Sequence, residues 1–567
     1  MRWSNNAGHF DSSATLGWTS VLYAREISVN RGSRCLLDSV SLSVSAGTRL
    51  GVVGPNGVGK TTLLKVLAGH ITPDSGTVER RPANLRVAYY SQEVDAHPGE
   101  TLLDYLARQS GMAEAEADLD RLTDMLATDQ SALDSYSDAL ERFLVLGGDD
   151  FTAQAGVVTA EVGFDPSALH ADVARMSGGQ AARARLASIL LSRADVALLD
   201  EPTNDLDFAG LSILEAIVDR FQGALVMVSH DRAFLDHAAT RILDIDGHSR
   251  RASEYAGGWS EFVERRALAQ EHADVSYQTW KADRDRLRAR VRTQRAWSEE
   301  GVKRARAKPS DNDKVQRGTR RDRTEKQAAK VRTSERALER LGEVSKPWEG
   351  WRLNLELAHN GRSGDVVVRL SAATVHRDNW LLGPIDLEIG WAERVAITGP
   401  NGSGKSTLLS ALTGARPLDG GRRWIGPSVR FGVIDQARLL RDPSQCAVNS
   451  LVAATGSTAE EVRSTLAKFE IPAAAAARPY SQLSPGERTR VLLAELSIAK
   501  TNCLVFDEPT NHLDLPAIEA LEVALDSFDG TLLVVTHDRW MLQALRFDRQ
   551  LLVERGRVAD SAVGVPG

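Results

Sequence analysis

The sequence predicts an α/β chain built from two similar domains in tandem, with an α-helical hairpin joining them. Three observations carry that prediction. A glycine-rich run occurs twice, as Gly-Pro-Asn-Gly-Val-Gly-Lys-Thr at 54–61 and Gly-Pro-Asn-Gly-Ser-Gly-Lys-Ser at 399–406. An acidic pair closes an apolar run twice, as Asp200-Glu201 and Asp507-Glu508. The spacings between these repeats are nearly constant. Lys60 to Lys405 is 345 residues and Gln92 to Gln436 is 344, while Ser177 to Ser484, Asp200 to Asp507 and His230 to His537 are each 307. Self-similarity at a fixed offset means two copies of one unit. The single change of offset places 37 extra residues in the first copy, between its glutamine and its serine.

Composition is consistent with large folded domains. The chain has 567 residues and is 42% hydrophobic, enough for sizeable cores and against global disorder. No run approaches the roughly 18 apolar residues of a membrane helix. Residues 1–20 are polar and lack the apolar stretch of a secretory leader, so a flexible extension is expected there. Cys35, Cys446 and Cys503 have no metal-ligand spacing and suit a reducing, cytoplasmic setting. The expected boundaries are 21–250 for the first domain, with an inserted helical arm at 112–148, then 251–350 for the linker and 362–560 for the second domain.

Both glycine-rich runs match G-x4-G-K-[ST], and each follows an apolar strand and opens a helical pattern, the context of a phosphate-binding P-loop. Glycines there let main-chain N–H groups curl round phosphates at a helix N-terminus. Lys60 and Lys405 would reach the terminal phosphates, and Thr61 and Ser406 would offer a hydroxyl to Mg²⁺. Asp200 and Asp507 end apolar strands, where an acid can hold the Mg²⁺ shell. Glu201 and Glu508 follow at once, on the opposite face of each strand end, placed to orient and deprotonate water. His230 and His537 also close apolar strands, each 30 residues after its aspartate, which favours a role at the γ-phosphate. Taken singly, an Asp-Glu pair is usually solvated and a histidine usually structural; the repetition carries the inference.

Met-Ser-Gly-Gly-Gln at 176–180 and Leu-Ser-Pro-Gly-Glu at 483–487, each 23 residues before its aspartate, resemble the signature motif of ABC ATPases. Gln92 and Gln436 resemble Q-loop residues. The resemblance covers nearly all of 21–250 and 362–560. It implies ATP and Mg²⁺ as ligands, and two P-loop ABC domains that close head to tail, each signature capping the ATP on the other P-loop. Site one would then comprise Gly54, Asn56, Gly57, Gly59, Lys60, Thr61, Thr62, Gln92, Asp200, Glu201 and His230, with Ser484, Gly486 and Glu487 of the second signature. Site two would comprise Gly399, Asn401, Gly402, Gly404, Lys405, Ser406, Thr407, Gln436, Asp507, Glu508 and His537, with Ser177, Gly178, Gly179 and Gln180. Thr61, Gln92 and Asp200, and likewise Ser406, Gln436 and Asp507, would share the metal. Pro485 lacks an N–H, so site one is expected to cap ATP differently. The usual adenine-stacking aromatic does not stand near Arg31 or Arg377.

Two further segments differ in charge. Residues 113–141 hold nine acidic residues and one arginine, with Leu119, Leu122 and Leu126, then Leu133, Tyr136 and Leu140, at helical spacing. An acidic helical pair would repel phosphates, and either a protein contact or plain surface elaboration accounts for it. The linker is the reverse: residues 281–340 carry a net +11, against −18 for the rest of the chain. Tyr277, Trp280, Leu287 and Val291 stripe one helix, and Val331, Leu338 and Leu341 stripe a returning one. Lys303, Arg304, Arg306, Lys308, Arg317, Arg320 and Arg321 would form a basic tip suited to nucleic acid, or alternatively a solvated helix face.

Tandem domains without a membrane segment, the run Glu-Pro-Thr-Asn-His-Leu-Asp at 508–514, an arm in the first domain only and a charged linker opening Tyr-Ala-Gly-Gly-Trp-Ser-Glu-Phe at 255–262 together resemble the ABC-F family. In the first domain Asp205 replaces the histidine of that run. The resemblance implies an ATPase whose linker meets ribosomal RNA and peptidyl-site tRNA on the ribosome. Asp-Asn-Asp-Lys at 311–314 and Glu-Lys-Gln-Ala at 325–328 look like actinobacterial members, several of which confer resistance to macrolides or lincosamides. The competing classes are the motor of an ABC transporter with separate membrane subunits, and a DNA-repair ATPase.

Overall fold

Within each repeat the strands that read as unbroken apolar runs form the centre of a parallel sheet, as expected for strands covered on both faces. The structure, a computed structural model, describes residues 21–32, 34–92, 95–306, 333, 336–337, 339–341, 361–377, 380–434, 444–469, 471–483, 485–499, 501–510 and 513–562. In the first cassette β1 (Val21–Arg31), β2 (Arg34–Ser45) and β4 (Ser75–Arg81) make an antiparallel sheet in the order β2-β1-β4. A second sheet joins β3 (Arg49–Val53), β5 (Val87–Tyr90), β6 (Val196–Asp200), β7 (Ala224–Val228), β8 (Arg241–Ile245) and β9 (Ala252–Ala256) in the order β5-β6-β7-β3-β8-β9. All its pairings are parallel except β8 with β9. The two sheets share one core, with Leu22, Ile27, Leu50, Leu63, Leu198 and Val226 buried together.

The second cassette repeats this plan. β10 (Val366–Arg377), β11 (Trp380–Gly390) and β13 (Gly420–Ile425) form the antiparallel sheet. β12 (Arg394–Thr398), β14 (Phe431–Ile434), β15 (Cys503–Asp507), β16 (Thr531–Val535), β17 (Arg549–Glu554) and β18 (Arg557–Ser561) pair in the order β14-β15-β16-β12-β17-β18. Register matches too: Asp200 faces Val228 and Asp507 faces Val535. Each aspartate therefore lies beside the strand end from which its histidine follows.

Between β5 and β6 the first cassette carries helices Leu102–Ser110, Met112–Leu126, Leu133–Val145, Phe151–Glu161 and Gly178–Leu191. The pair 112–126 and 133–145 buries Met112, Ala115, Leu122 and Ala139, yet leaves Leu133 and Leu144 more than half exposed. The cassettes belong to one compact body, and residues 260–351 form a second. The helix Trp259–Arg306 runs 48 residues, about 70 Å at 1.5 Å per residue. On it Tyr277 stacks on Trp280 at 5.8 Å, and the Arg284 guanidinium covers Trp280 at 4.8 Å. The side chains of Lys303, Arg304 and Arg306, and all of Lys308, Arg317, Arg320, Arg321, Val331 and Leu338, lie outside the described residues. No described helix is long and apolar enough to cross a membrane.

Candidate ATP sites

Each P-loop is a strand, a turn and a helix N-terminus. β3 leads through 54–59 into the helix Lys60–Ala68, and β12 through 399–404 into Lys405–Thr413. Gly59 and Gly404 cap those helices at φ 114° and 105°, a left-handed region that side chains avoid. Gly399 is tighter still, since a Cβ there would fall 2.0 Å from the Val553 carbonyl oxygen. The lysines are buried, and burial lowers the pKa of each against the pull of nearby carboxylates. Lys60 Nζ donates to the Gly54 carbonyl at 2.7 Å and Lys405 Nζ to Gly399 at 2.9 Å.

Thr61 Oγ1 donates to Asp200 Oδ1 at 3.2 Å, so a hydroxyl and a carboxylate converge beside Lys60. Such an all-oxygen set suits Mg²⁺, and Ser406 with Asp507 are its counterparts. Tyr89, which sequence reasoning missed, donates its hydroxyl to Asp200 Oδ2 at 3.0 Å. The second cassette has Val433 at that place in the repeat. Gln92 is exposed just past β5, while Gln436 and Ser484 lie outside the described residues.

Glu201 and Glu508 take φ 49° and 52°, rare for a side-chain-bearing residue. Their N–H groups donate to Val228 and Val535, which holds each carboxylate at the sheet edge. Burial pushes the Glu201 carboxyl up to about 7, opposed by Lys60. Its Oε1 lies 3.2 Å from His230 Nε2, and its Oε2 accepts the His230 N–H. Glu508 Oε1 is 3.6 Å from His537 Nε2. Burial lowers both histidines, His537 to about 3, so both imidazoles are neutral. His230 Nδ1, both ring nitrogens of His537 and Ser403 Oγ are buried with no hydrogen-bond partner among the described residues. Unspent polar atoms beside two buried lysines fit a polyphosphate. Such a site can grip the phosphates of ATP while the glutamate takes a proton from attacking water.

The cassettes meet reciprocally at these loops. Asn401 N–H donates to Asp207 Oδ2 at 3.0 Å, and Asn401 Nδ2 to the Asp205 carbonyl at 2.7 Å. On the other side Asn56 N–H donates to Asp514 Oδ2 at 3.0 Å. Ser177 caps the helix Gly178–Leu191 in a reciprocal box with Gln180. A Cβ on Gly179 would sit 3.4 Å from Asn401 Nδ2, so the first signature faces the second P-loop. Pro485 begins the helix Pro485–Ala499, the position that tolerates a missing N–H. Glu487 pairs with Arg478 at 3.0 Å. A cavity of about 50 Å³ between the cassettes is lined by His230, Asp231, Glu508, His537 and Asp538 among others.

Trp380 also escaped sequence reasoning. It pairs with Arg377 across β10 and β11, and its ring lies so close to the second P-loop that a Cβ on Gly404 would fall 2.1 Å from it. The first cassette has Arg34 in that register. The aromatic was visible in the sequence, three residues past Arg377.

Fold and sites define a tandem-cassette P-loop ATPase. The family described as ABC transporter matches residues 37–204 and 382–511. The tylosin resistance ATP-binding protein TlrC of Streptomyces fradiae is 34% identical over 90% of this chain and 93% of its own length. ABC transporter F family member 5 of Arabidopsis thaliana is 30% identical over 93% and 74%. The energy-dependent translational throttle protein EttA of Escherichia coli is 29% identical over 90% and 88%. The chain belongs to the ABC-F family. A solved structure named RNase-L inhibitor shares the fold, with TM-score 0.55 and 18% identity over 94% of this chain and 90% of that one.

Proposed function

We propose that the chain acts on the ribosome, coupling ATP-driven closure of its cassettes to the conformation of the ribosome and its tRNA. Thr61 with Asp200, and Ser406 with Asp507, would hold Mg²⁺ beside the phosphates, where it would neutralise their charge. The observation that carries the reading is the helix Trp259–Arg306, which bears ten Lys and Arg against four Asp and Glu from 281 to 306 in an otherwise acidic chain. A basic rod on an acidic ATPase suits a polyanion larger than a nucleotide. Two relatives, a translational throttle protein and a tylosin resistance protein, support this direction. Protection of ribosomes against drugs of the macrolide or lincosamide type is the finer form of the proposal.

The test is co-sedimentation with 70S ribosomes or with membranes, using ATP-bound protein at several salt concentrations. Replacing Lys303, Arg304, Arg306, Lys308, Arg317, Arg320 and Arg321 by glutamine is expected to weaken ribosome binding at least tenfold. It should also flatten the salt slope by about 0.7–0.9 for each phosphate that is no longer neutralised. Unchanged binding and slope, or pelleting with membranes alone, would sink the proposal.

At the second P-loop, Trp380→Ala is expected to weaken ATP binding by about 1–3 kcal/mol, the worth of a base stacked on an aromatic ring. Nucleotide titration of Lys60→Met protein, which leaves that loop intact, would read it. An unchanged affinity would assign the indole to packing against Gly404.

A further inference from the structure

The first signature helix carries a buried guanidinium for which the hydrolytic chemistry has no use. Arg185, on Gly178–Leu191, is 7% exposed. Its hydrogen bonds among the described residues all go to main-chain carbonyls. One nitrogen donates to Ser91 at 3.1 Å and to Gln92, and another reaches Asn204 at 3.4 Å. Burying a cation without a hydrogen-bonded carboxylate is costly, so the position needs a reason.

The three carbonyls belong to different parts of the machinery. Ser91 and Gln92 follow β5, beside the Asp200 strand, and form the Q-loop of site one. Asn204 belongs to the turn 203–207, whose Asp205 and Asp207 accept both hydrogen bonds from Asn401 of the opposite P-loop. One rigid, planar, multidentate donor thus ties the glutamine loop of site one to the wall of site two. The second cassette has Leu492 at the corresponding place, 307 residues on. A leucine side chain has no N–H to donate, so this residue cannot make such bonds.

We propose that Arg185 couples the two ATP sites: nucleotide at the Gln92 loop is transmitted through Asn204 to the P-loop around Asn401. The coupling is reciprocal in binding, as linkage requires. This rests on the reading of two composite ATP sites. Arg185 touches no nucleotide and acts as a positioning residue.

The test uses the full chain with Glu201→Gln and Glu508→Gln, titrated with a fluorescent ATP analogue and Mg²⁺. Lys60→Met leaves site two alone and Lys405→Met leaves site one alone. Site two is expected to bind about tenfold more tightly when site one is filled, a typical coupling. Arg185→Leu should reduce that ratio to about one and leave the affinity of site two in Lys60→Met protein unchanged. Two nucleotides bound with the tenfold ratio intact in Arg185→Leu overturn the proposal. If the leucine variant does not fold, Arg185→Lys decides, because it keeps the buried charge but loses the planar fork: a reduced ratio supports the coupling and an unchanged one overturns it. If the lysine variants do not each remove one of two nucleotides, the composite-site reading fails and takes the coupling with it.

Discussion

Glu201→Gln together with Glu508→Gln is expected to lower ATP turnover at least a hundredfold and leave ATP binding within a few-fold of the parent, because a positioned base contributes roughly 10²–10⁴ to such a step. Glutamine keeps the shape of the strained turn at φ 49° and 52° and leaves Lys60, Lys405 and the P-loop N–H groups in place. It removes only the carboxylate expected to take the proton from water. The two single variants should differ. On the composite-site reading, site two would be capped by Ser177-Gly-Gly-Gln, a helix start with every N–H present, and site one by a helix start that contains Pro485. Glu508→Gln is therefore expected to cost more turnover than Glu201→Gln. Steady-state phosphate release beside nucleotide titration checks both statements. Near-parental turnover in the double variant would remove the glutamates from catalysis, and equal single variants would remove the asymmetry.

What the sequence revealed and what it hid have a physical division. Main-chain chemistry at a helix start needs glycines at fixed intervals, and an acid at the end of a buried strand needs an apolar run before it. P-loops, Asp200, Asp507 and the two-cassette α/β plan were legible for that reason. The 307-residue offset also related Glu215 to Glu522 and Arg232 to Arg539, but nothing in the spacing said that these residues meet across the cassettes. Tyr89, Trp380 and Arg185 escaped for the same reason. Each contacts a neighbour distant in sequence, and each differs between the halves, so the repeat could not flag it. Arg185 in particular reads as an ordinary charged helix residue until its burial is known.

Removing Arg232 is expected to destabilise the junction of the cassettes by about 3–5 kcal/mol, the usual cost of orphaning a buried charge. Its guanidinium grips both carboxylate oxygens of Glu522, lies 3.7 Å from Asp538 and covers the Trp540 ring at 5.4 Å. Its side chain is 3% exposed and that of Glu522 11%. The pseudo-equivalent pair is weaker: Arg539 reaches Glu215 by one bond of 2.6 Å, the side chains are 20% and 18% exposed, and Ala233 stands where Trp540 would be. Arg232→Ala should therefore lower Tm by roughly 10 °C, and Arg539→Ala by only a few degrees. The defect should also depend on pH. Asp231 is pushed up to about 6 by burial and by Asp538, with Arg539 opposing and Glu215 adding to the rise. A carboxyl raised in the folded state penalises folding above that pKa, and the penalty fades as the pH falls through it toward the unfolded value. With Arg232 gone, Asp538, whose charge raises Asp231, loses a cation 3.7 Å away, and protonation of Asp231 relieves the repulsion between the two. The gap in Tm between Arg232→Ala and the parent should thus narrow from pH 8 to pH 5.5. Equal shifts for the two arginines, or a gap that widens on acidification, would show that the Arg232–Glu522 pair does not hold the cassettes together.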